Sequence, residues 1–146
     1  MAHVAGEIVI GRPVGEVFDC VADERNEPLY NPRLRQVELI SQGPIGVGAR
    51  FTAESVTRGR AVPMVIELTA FERPRRLASV TRMSSMEIRG GLTFDAVAGG
   101  TRLRWSWELE PRGALKLLGP LIGFIGRRQE AACWSGLKQY LEARAA

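Results

Sequence analysis

The sequence has few of the residues on which most catalytic and metal sites depend. It contains one histidine, His3, and two cysteines, Cys20 and Cys133. Any Ser-His-Asp or Cys-His catalytic set would need His3, which lies near the N-terminus and is a poor general base unless the fold buries it. The two cysteines fit no metal-ligand spacing, and no glycine-rich phosphate loop precedes a helix. We therefore predict no metal and no cofactor.

The sequence also lacks a basic segment followed by an apolar one at its N-terminus, so we expect no signal peptide. Two isolated thiols favour a reducing compartment without a disulfide, and we predict a cytoplasmic protein. The most apolar run, LLGPLIGFIG at 117–126, is too short to span a bilayer. Arg127 and Arg128 follow it. Two interpretations stay open: transient contact with a membrane surface, or the buried start of a helix.

Length and composition are those of one globular domain, which we place at residues 1–146. The 146 residues are 45% hydrophobic and 25% charged. The net charge of +4 would suit nucleic acid, but the arginines are scattered along the chain. A nucleic-acid groove normally concentrates cations on one face with aromatic side chains between them. We therefore expect no nucleic-acid partner. The oligomeric state that we expect is a monomer or a homodimer.

Hydrophobic periodicity predicts the order of elements. A first strand ends at Pro13, and Val14, Val17, Phe18 and Val21 have helical spacing. The polar stretch at 23–33 suits a second short helix or a turn. From residue 34 the period is two, which predicts six strands near 34–41, 49–58, 61–72, 76–83, 86–97 and 101–111. After Pro111 the pattern is helical to the end, with a kink or a new helix start at Gly119-Pro120.

Two strands contain residues that disturb a regular ladder. Pro63 near the start of one strand predicts an edge or bulge position. The pair Gly90-Gly91 predicts a bulge or a strong bend. The last strand alternates most clearly, with Trp105 and Trp107 on its apolar face. The fold class is therefore α+β: a curved antiparallel sheet of about seven strands, wet on one side, that grips a long C-terminal helix, with two short helices after strand 1.

The chain resembles the SRPBCC, or START-like, superfamily with the helix-grip fold, in particular its bacterial polyketide cyclase/dehydrase-like branch. The resemblance rests on RPVGEVFDCVADERNEPLYNPRLRQVELISQGPIGVGARF at 12–51 and RRQEAACWSGLKQYLE at 127–142. The first segment combines a proline-led helix, an aromatic-x-Pro corner and a G-x-G loop. The corner aromatic here is Tyr30, where such proteins more often carry tryptophan. The resemblance implies a cavity between sheet and helix, in a superfamily that includes carriers, sensors and enzymes.

Alternation and helical spacing nominate the residues that would contact a ligand in this cavity. Each has a simpler interpretation as core. Tyr30 would pack the corner or point its hydroxyl inward, and Gln129 would be a polar contact. Small residues near the helix stripe, Gly126, Ala132 and Gly136, would leave room for a ligand or allow close packing. The predicted ligand-binding residues are Tyr30, Phe51, Met64, Ile66, Leu68, Met86, Ile88, Phe94, Trp105, Trp107, Ile122, Ile125, Gln129 and Cys133.

Ionisable side chains on the strands are assigned to the outer face. Glu67, Glu87, Arg82 and Arg89 have the parity of that face, where cross-strand ion pairs are usual. The parity of Arg82 is the least clear. The sequence therefore offers no acid/base set inside the cavity, and no catalytic residue is assigned.

Three functions remain open. The first is a protein that binds or carries a small hydrophobic molecule of the lipid, polyketide or isoprenoid class. The second is a polyketide cyclase/dehydrase-like enzyme that shapes a reactive chain, as the resemblance implies. The third is a protein-interaction module. Two convergent ionisable groups in the cavity would favour the second, and a filled interior would favour the third.

Overall fold

The computed structural model describes residues 1–144 and has the predicted order of elements. The strands are β1 (Ala2–Ile10), β2 (Leu34–Leu39), β3 (Arg50–Thr57), β4 (Arg60–Glu72), β5 (Arg76–Arg82), β6 (Met86–Val97) and β7 (Gly100–Pro111). The helices are α1 (Val14–Ala22) and α2 (Gly119–Ala143), with 3-10 helices at Glu24–Leu29 and Gly113–Leu118. The α+β prediction is confirmed.

The seven strands form one antiparallel sheet in the order β1-β7-β6-β5-β4-β3-β2. The meander from β2 to β7 joins neighbours in sequence, and β1 closes the order by pairing with β7. This arrangement places the N-terminal strand beside the C-terminal one. The 25 residues of α2 lie against this end of the sheet, near β1.

The glycine pair in β6 lies in the strand without a bulge. Pairing of β6 with β5 and with β7 runs through Gly90 and Gly91 without a register shift. Gly90 has φ +147°, and a Cβ there would lie 2.0 Å from the carbonyl oxygen of Ser106. Only glycine tolerates both conditions. The register shifts lie elsewhere, between Arg35 and Glu38 and between Leu68 and Ala70.

Pro63 lies where β4 is paired on one side only. Its partner in β3 is Glu54, whereas pairing with β5 begins at Val65. The missing proline N–H therefore breaks no ladder between β4 and β5. The prediction of an edge position is confirmed locally, although β4 as a whole is an interior strand.

Helix α1 follows Pro13, which has extended backbone angles and stands just before the first helical residue. The helix buries Val17, Phe18 and Val21 against the sheet. Phe18 meets the rings of Phe71 and Phe94 edge-on, at centroid distances of 5.3 and 5.2 Å. Such contacts between aromatic rings add specific geometry to the area they bury.

The corner after α1 is formed by a 3-10 helix that contains Pro28. Tyr30 ends this helix, and its N–H donates to the carbonyl oxygen of Glu27 at 3.0 Å. The backbone then passes directly under α2, since a Cβ on Gly136 would lie 2.3 Å from the Tyr30 carbonyl oxygen. Gly136 therefore serves close packing rather than space for a ligand.

Helix α2 begins at Gly119 with Pro120 in its first turn, so Gly119-Pro120 starts a new helix rather than kinking a longer one. Near its C-terminus, Glu142 Oε2 accepts a hydrogen bond from the Gly11 N–H at 2.7 Å. Lys138 Nζ donates to the Val9 carbonyl oxygen at 2.9 Å. These contacts hold the end of α2 on β1.

The outer face of the sheet carries ion pairs, as predicted. The Glu87 carboxylate is buried among three guanidinium groups, with oxygen–nitrogen distances of 2.8 Å to Arg89, 3.4 Å to Arg82 and 3.6 Å to Arg112. Arg82 lies on this face and also reaches Glu67. These groups pair with one another on the side of the sheet away from α2.

Candidate ligand-binding cavity

A cavity of about 440 Å³ lies between the concave face of the sheet, α2 and the corner after α1. Its wall is mainly aliphatic, with side chains from β3 to β7, the second 3-10 helix and α2. The exposed members of the wall are Arg33, Thr57 and Ile125, and they mark the rim where the cavity meets solvent. The interior between sheet and helix is therefore not filled by side chains.

Most residues named from the sequence lie on this wall. Alternation accounts for the strand residues among them, because concave-facing positions recur every second residue. The predicted residues that line the cavity are Met64, Ile66, Leu68, Met86, Ile88, Trp107, Ile122, Ile125, Gln129 and Cys133.

Two predicted aromatic residues, Trp105 and Tyr30, lie in the core instead of on the wall. The Trp105 ring is covered by Trp134 of α2, at a centroid distance of 6.1 Å and an interplanar angle of 34°. Tyr30 also packs against the indole of Trp134, at 6.3 Å. The ring of Trp134 therefore separates both residues from the open space, and the interpretation of Tyr30 as corner packing fits its position.

The remaining two predicted ligand-binding residues, Phe51 and Phe94, are completely buried and do not line the cavity. Phe94 packs on Phe18 of α1, which covers that end of the sheet. Phe51 belongs to a separate cluster formed mainly by β3 and β4. Ala132 is exposed and does not belong to the inward stripe of α2. Facing the concave side was thus necessary but not sufficient for a place on the cavity wall.

Sequence reasoning missed a group of carboxyl side chains at one end of the cavity. Glu24 and Glu27 come from the 3-10 helix after α1, and Glu130 comes from α2. We call these three residues the carboxyl cluster. Trp134, also missed, lines the cavity beside them. A signal for Glu130 was present, since it lies one helical turn after Gly126 and one turn before Trp134.

Polar contacts hold part of the carboxyl cluster in place. Trp134 Nε1 donates to Glu130 Oε1 at 3.3 Å, and Asn31 Nδ2 donates to Glu27 Oε2 at 2.8 Å. Trp107 Nε1 is buried close to the Glu130 carboxyl group but makes no well-formed hydrogen bond within residues 1–144. Glu24 Oε2 is buried and likewise makes no well-formed hydrogen bond in that part of the chain, although its carboxyl group lies close to that of Glu27. These two atoms are free to bind a polar group inside the cavity.

Burial changes the acidity of the cluster. Desolvation, followed by the charge of Glu27, raises the pKa of Glu130 to about 7, although the indole N–H groups of Trp134 and Trp107 lower it in part. Desolvation also raises the pKa of Glu24 well above its usual value, again with Glu27 as the next cause. The raised pKa of Glu24 favours its protonated form, and near pH 7 Glu130 is divided between its two forms. The pair can therefore donate and accept hydrogen bonds, and can exchange a proton.

His3 and Cys133 do not extend the carboxyl cluster. His3 lies on β1, where Nδ1 contacts Glu108 Oε1 at 2.5 Å on the exposed surface. The Cys133 thiol lines the cavity, and its burial raises its pKa. Within residues 1–144 no three His, Cys, Asp or Glu side chains are arranged to hold a metal ion.

The curved antiparallel sheet and the long C-terminal helix form a helix-grip, START-like fold. The chain belongs to the family described as polyketide cyclase / dehydrase and lipid transport, whose family model matches residues 1–142. A comparison of the sequence with curated proteins finds no match.

Solved structures with the same fold cover nearly the whole chain at low sequence identity. TTHA0849 from Thermus thermophilus has a TM-score of 0.84 at 18% identity, with 99% of each chain covered. The ZhuI aromatase/cyclase from Streptomyces sp. R1128 also has a TM-score of 0.84, at 14% identity, with 99% of this chain and 95% of that chain covered. A START superfamily protein from Mycobacterium smegmatis has a TM-score of 0.77 at 12% identity, with 99% and 97% covered. At these identities the likeness extends to the fold alone.

Proposed function

We propose that the protein binds a small, mostly apolar molecule in the cavity and holds a carbonyl or hydroxyl oxygen of that molecule against the carboxyl cluster. The observation that carries the proposal is an aliphatic cavity of about 440 Å³ with unpartnered polar atoms at one end within the described residues. This volume lies within the range of about 300–1,000 Å³ that small-molecule sites occupy. Lipids, polyketides and isoprenoids are the ligand classes that combine such an apolar body with few oxygen atoms.

The apolar wall would supply most of the affinity. A ligand that buries about 300 Å² of apolar surface gains roughly 7 kcal/mol before the cost of association is subtracted. The ten predicted wall residues would make these contacts, and methionines 64 and 86 would adapt to ligand shape. Protonated Glu24 and the Trp107 N–H would donate to the ligand oxygen.

Filling the cavity with a protein side chain tests binding directly. Thr81 lines the cavity, whereas Thr93 is exposed on the outer face of the same sheet. We expect Thr81→Phe to weaken binding of the neutral fluorescent probe N-phenyl-1-naphthylamine by about tenfold or more, since the ring occupies the ligand volume. Thr93→Phe is the matched control and should bind as the wild type does. Equal affinities for the two variants would contradict the proposal.

The carboxyl cluster gives a specific reason to consider a second function, a cyclase/dehydrase-like enzyme. Ionised Glu130 could take a proton from the carbon next to a ligand carbonyl while protonated Glu24 donates to the carbonyl oxygen, which gives an enol. Reversal returns a proton to carbon. One observation favours this function: two carboxyl groups of raised pKa reach the same cavity end.

Deuterium exchange distinguishes an enzyme from a carrier. If the cluster enolises ketones, 1-tetralone in D2O should lose its α-proton NMR signal faster with wild-type protein than with Glu130→Gln. The rate should rise as pH increases through about 7, because Glu130 must be ionised to act as base. Probe binding without any accelerated exchange would leave the binding function and reject this enzymatic one.

A further inference from the structure

Five large apolar side chains are exposed together around the start of α2. Leu117 is 87% exposed and Phe124 is 50% exposed. The exposed fractions of the other three side chains lie between 41% and 49%. We call this surface the apolar tip; it consists of Leu117, Leu118, Leu121, Phe124 and Ile125. Ile122 and Gly123, on the opposite side of the helix, are buried against the sheet. An exposed apolar patch of this kind usually marks an interaction surface.

The charged residues that neighbour the apolar tip in the sequence are all cations. Between Glu110 and Glu130 the sequence contains four cations and no carboxylate. All four are exposed, but Arg112 pairs with Glu87 on the outer face of the sheet, so the cations that remain for the tip are Lys116, Arg127 and Arg128. The Arg128 guanidinium lies over the Phe124 ring, 5.8 Å from its centroid. Apolar side chains bordered by Lys and Arg are the combination that binds an anionic lipid surface.

The tip adjoins the cavity. Ile125 belongs both to the tip and to the exposed rim of the cavity. Leu115, two residues before the tip, and Ile122, which follows Leu121, also line the cavity. A surface that covers the tip would therefore lie beside the rim through which an apolar molecule enters.

We propose that the apolar tip docks on the surface of an anionic lipid bilayer. The apolar side chains would enter the interfacial layer while Lys116, Arg127 and Arg128 contact lipid phosphates. No helix in the described part of the chain is long and apolar enough to cross a membrane, so the contact is interfacial. A second copy of the chain is a poorer partner, since a two-fold contact between two tips would bring six cations together during desolvation.

Vesicle sedimentation tests the docking without any cavity ligand. We expect wild-type protein to sediment with vesicles of phosphatidylcholine and about one third phosphatidylglycerol. Binding to phosphatidylcholine alone should be much weaker, and added salt should weaken binding to the anionic vesicles. Neutralising one cation, as in Arg127→Gln, should reduce partitioning by about fivefold.

Tip variants and a matched control separate specific docking from general stickiness. Leu117→Asp and Phe124→Asp should each reduce partitioning by about tenfold or more, because a carboxylate resists entry into the interface. Val47, in the loop between β2 and β3, is 71% exposed and lies outside the tip, so Val47→Asp should bind like wild type. An unchanged midpoint of thermal denaturation would show that each variant is folded.

Three results would overturn the proposal. The first is a failure of wild-type protein to sediment with anionic vesicles, and the second is a loss of binding in Val47→Asp as large as in the tip variants. The third result is a dimer in light scattering that Leu117→Asp dissociates, together with no vesicle binding, which would assign the tip to self-association. Because these measurements need no cavity ligand, their failure is distinguishable from failure of the proposed binding function.

Discussion

Replacing Glu130 by glutamine should make the protein more stable at alkaline pH and leave it nearly unchanged in acid. Glutamine keeps the size of the side chain and an oxygen that accepts from Trp134 Nε1, so the substitution removes chiefly the charge. In the folded protein, burial raises the pKa of Glu130 to about 7, against a usual value of 4.5. The folded state therefore holds this proton more tightly than the unfolded chain does.

Proton linkage determines whether the free energy of unfolding rises or falls with pH. Where the folded state binds more protons than the unfolded state, the free energy of unfolding falls as pH rises. The contribution of Glu130 to the free energy of unfolding is therefore fully present below pH 4.5 and is lost between pH 4.5 and about 7. That interval corresponds to about 3 kcal/mol, and partial access of solvent to the side chain reduces the expected effect to about 1–3 kcal/mol.

Urea denaturation of both proteins from pH 5 to pH 8.5 measures this difference. We expect Glu130→Gln to gain about 1–3 kcal/mol over wild type at pH 8 and to approach it at pH 5. Glu24 should still make the variant less stable as pH rises, since its own pKa is raised by burial. Glu38 is exposed, and Glu38→Gln provides the control. Parallel curves for wild type and Glu130→Gln would refute the account of a buried carboxyl cluster.

Three further predictions concern packing and reactivity. Gly136→Ala should destabilise the protein by about 2 kcal/mol or more, because its Cβ would lie 2.3 Å from the carbonyl oxygen of the corner tyrosine; Gly46→Ala, with open space around it, should be nearly neutral in thermal denaturation. Phe18→Ala should cost about 3–5 kcal/mol in urea denaturation, since it removes a fully buried ring that meets two other phenylalanines. Cys133 should react with a disulfide reagent much more slowly than Cys20 in single-cysteine variants, because Cys133 is the more deeply buried thiol; equal rates would contradict the placement of α2.

The sequence predicted the sheet well because each strand carries its own signal. Alternation in β7 identifies the concave face residue by residue, and glycine or proline marks nearly every turn. Two members of the carboxyl cluster had no comparable signal. Glu24 and Glu27 lie in a polar stretch that a solvated turn explains equally well, and only the position of the corner under α2 directs them inward. Their position beside Glu130 depends on contacts between segments about one hundred residues apart along the chain.

The two tryptophans of β7 show that the sequence did not reveal how α2 is positioned along β7. They share a face, yet Trp105 is core and Trp107 lines the cavity, because α2 crosses β7 in a fixed register. Trp134 covers Trp105, Glu130 lies near Trp107, and one turn earlier Gly126 closes on Leu109.

Four helical residues rise about 6 Å and two strand residues about 6.7 Å, so the two series stay matched over the two steps between these three contacts. At the middle contact, α2 presents the carboxyl group of Glu130 to Trp107. The polar end of the cavity is thus set by one register between α2 and β7. Given a single contact, such as Trp134 on Trp105, the remaining pairs could have been read from the sequence.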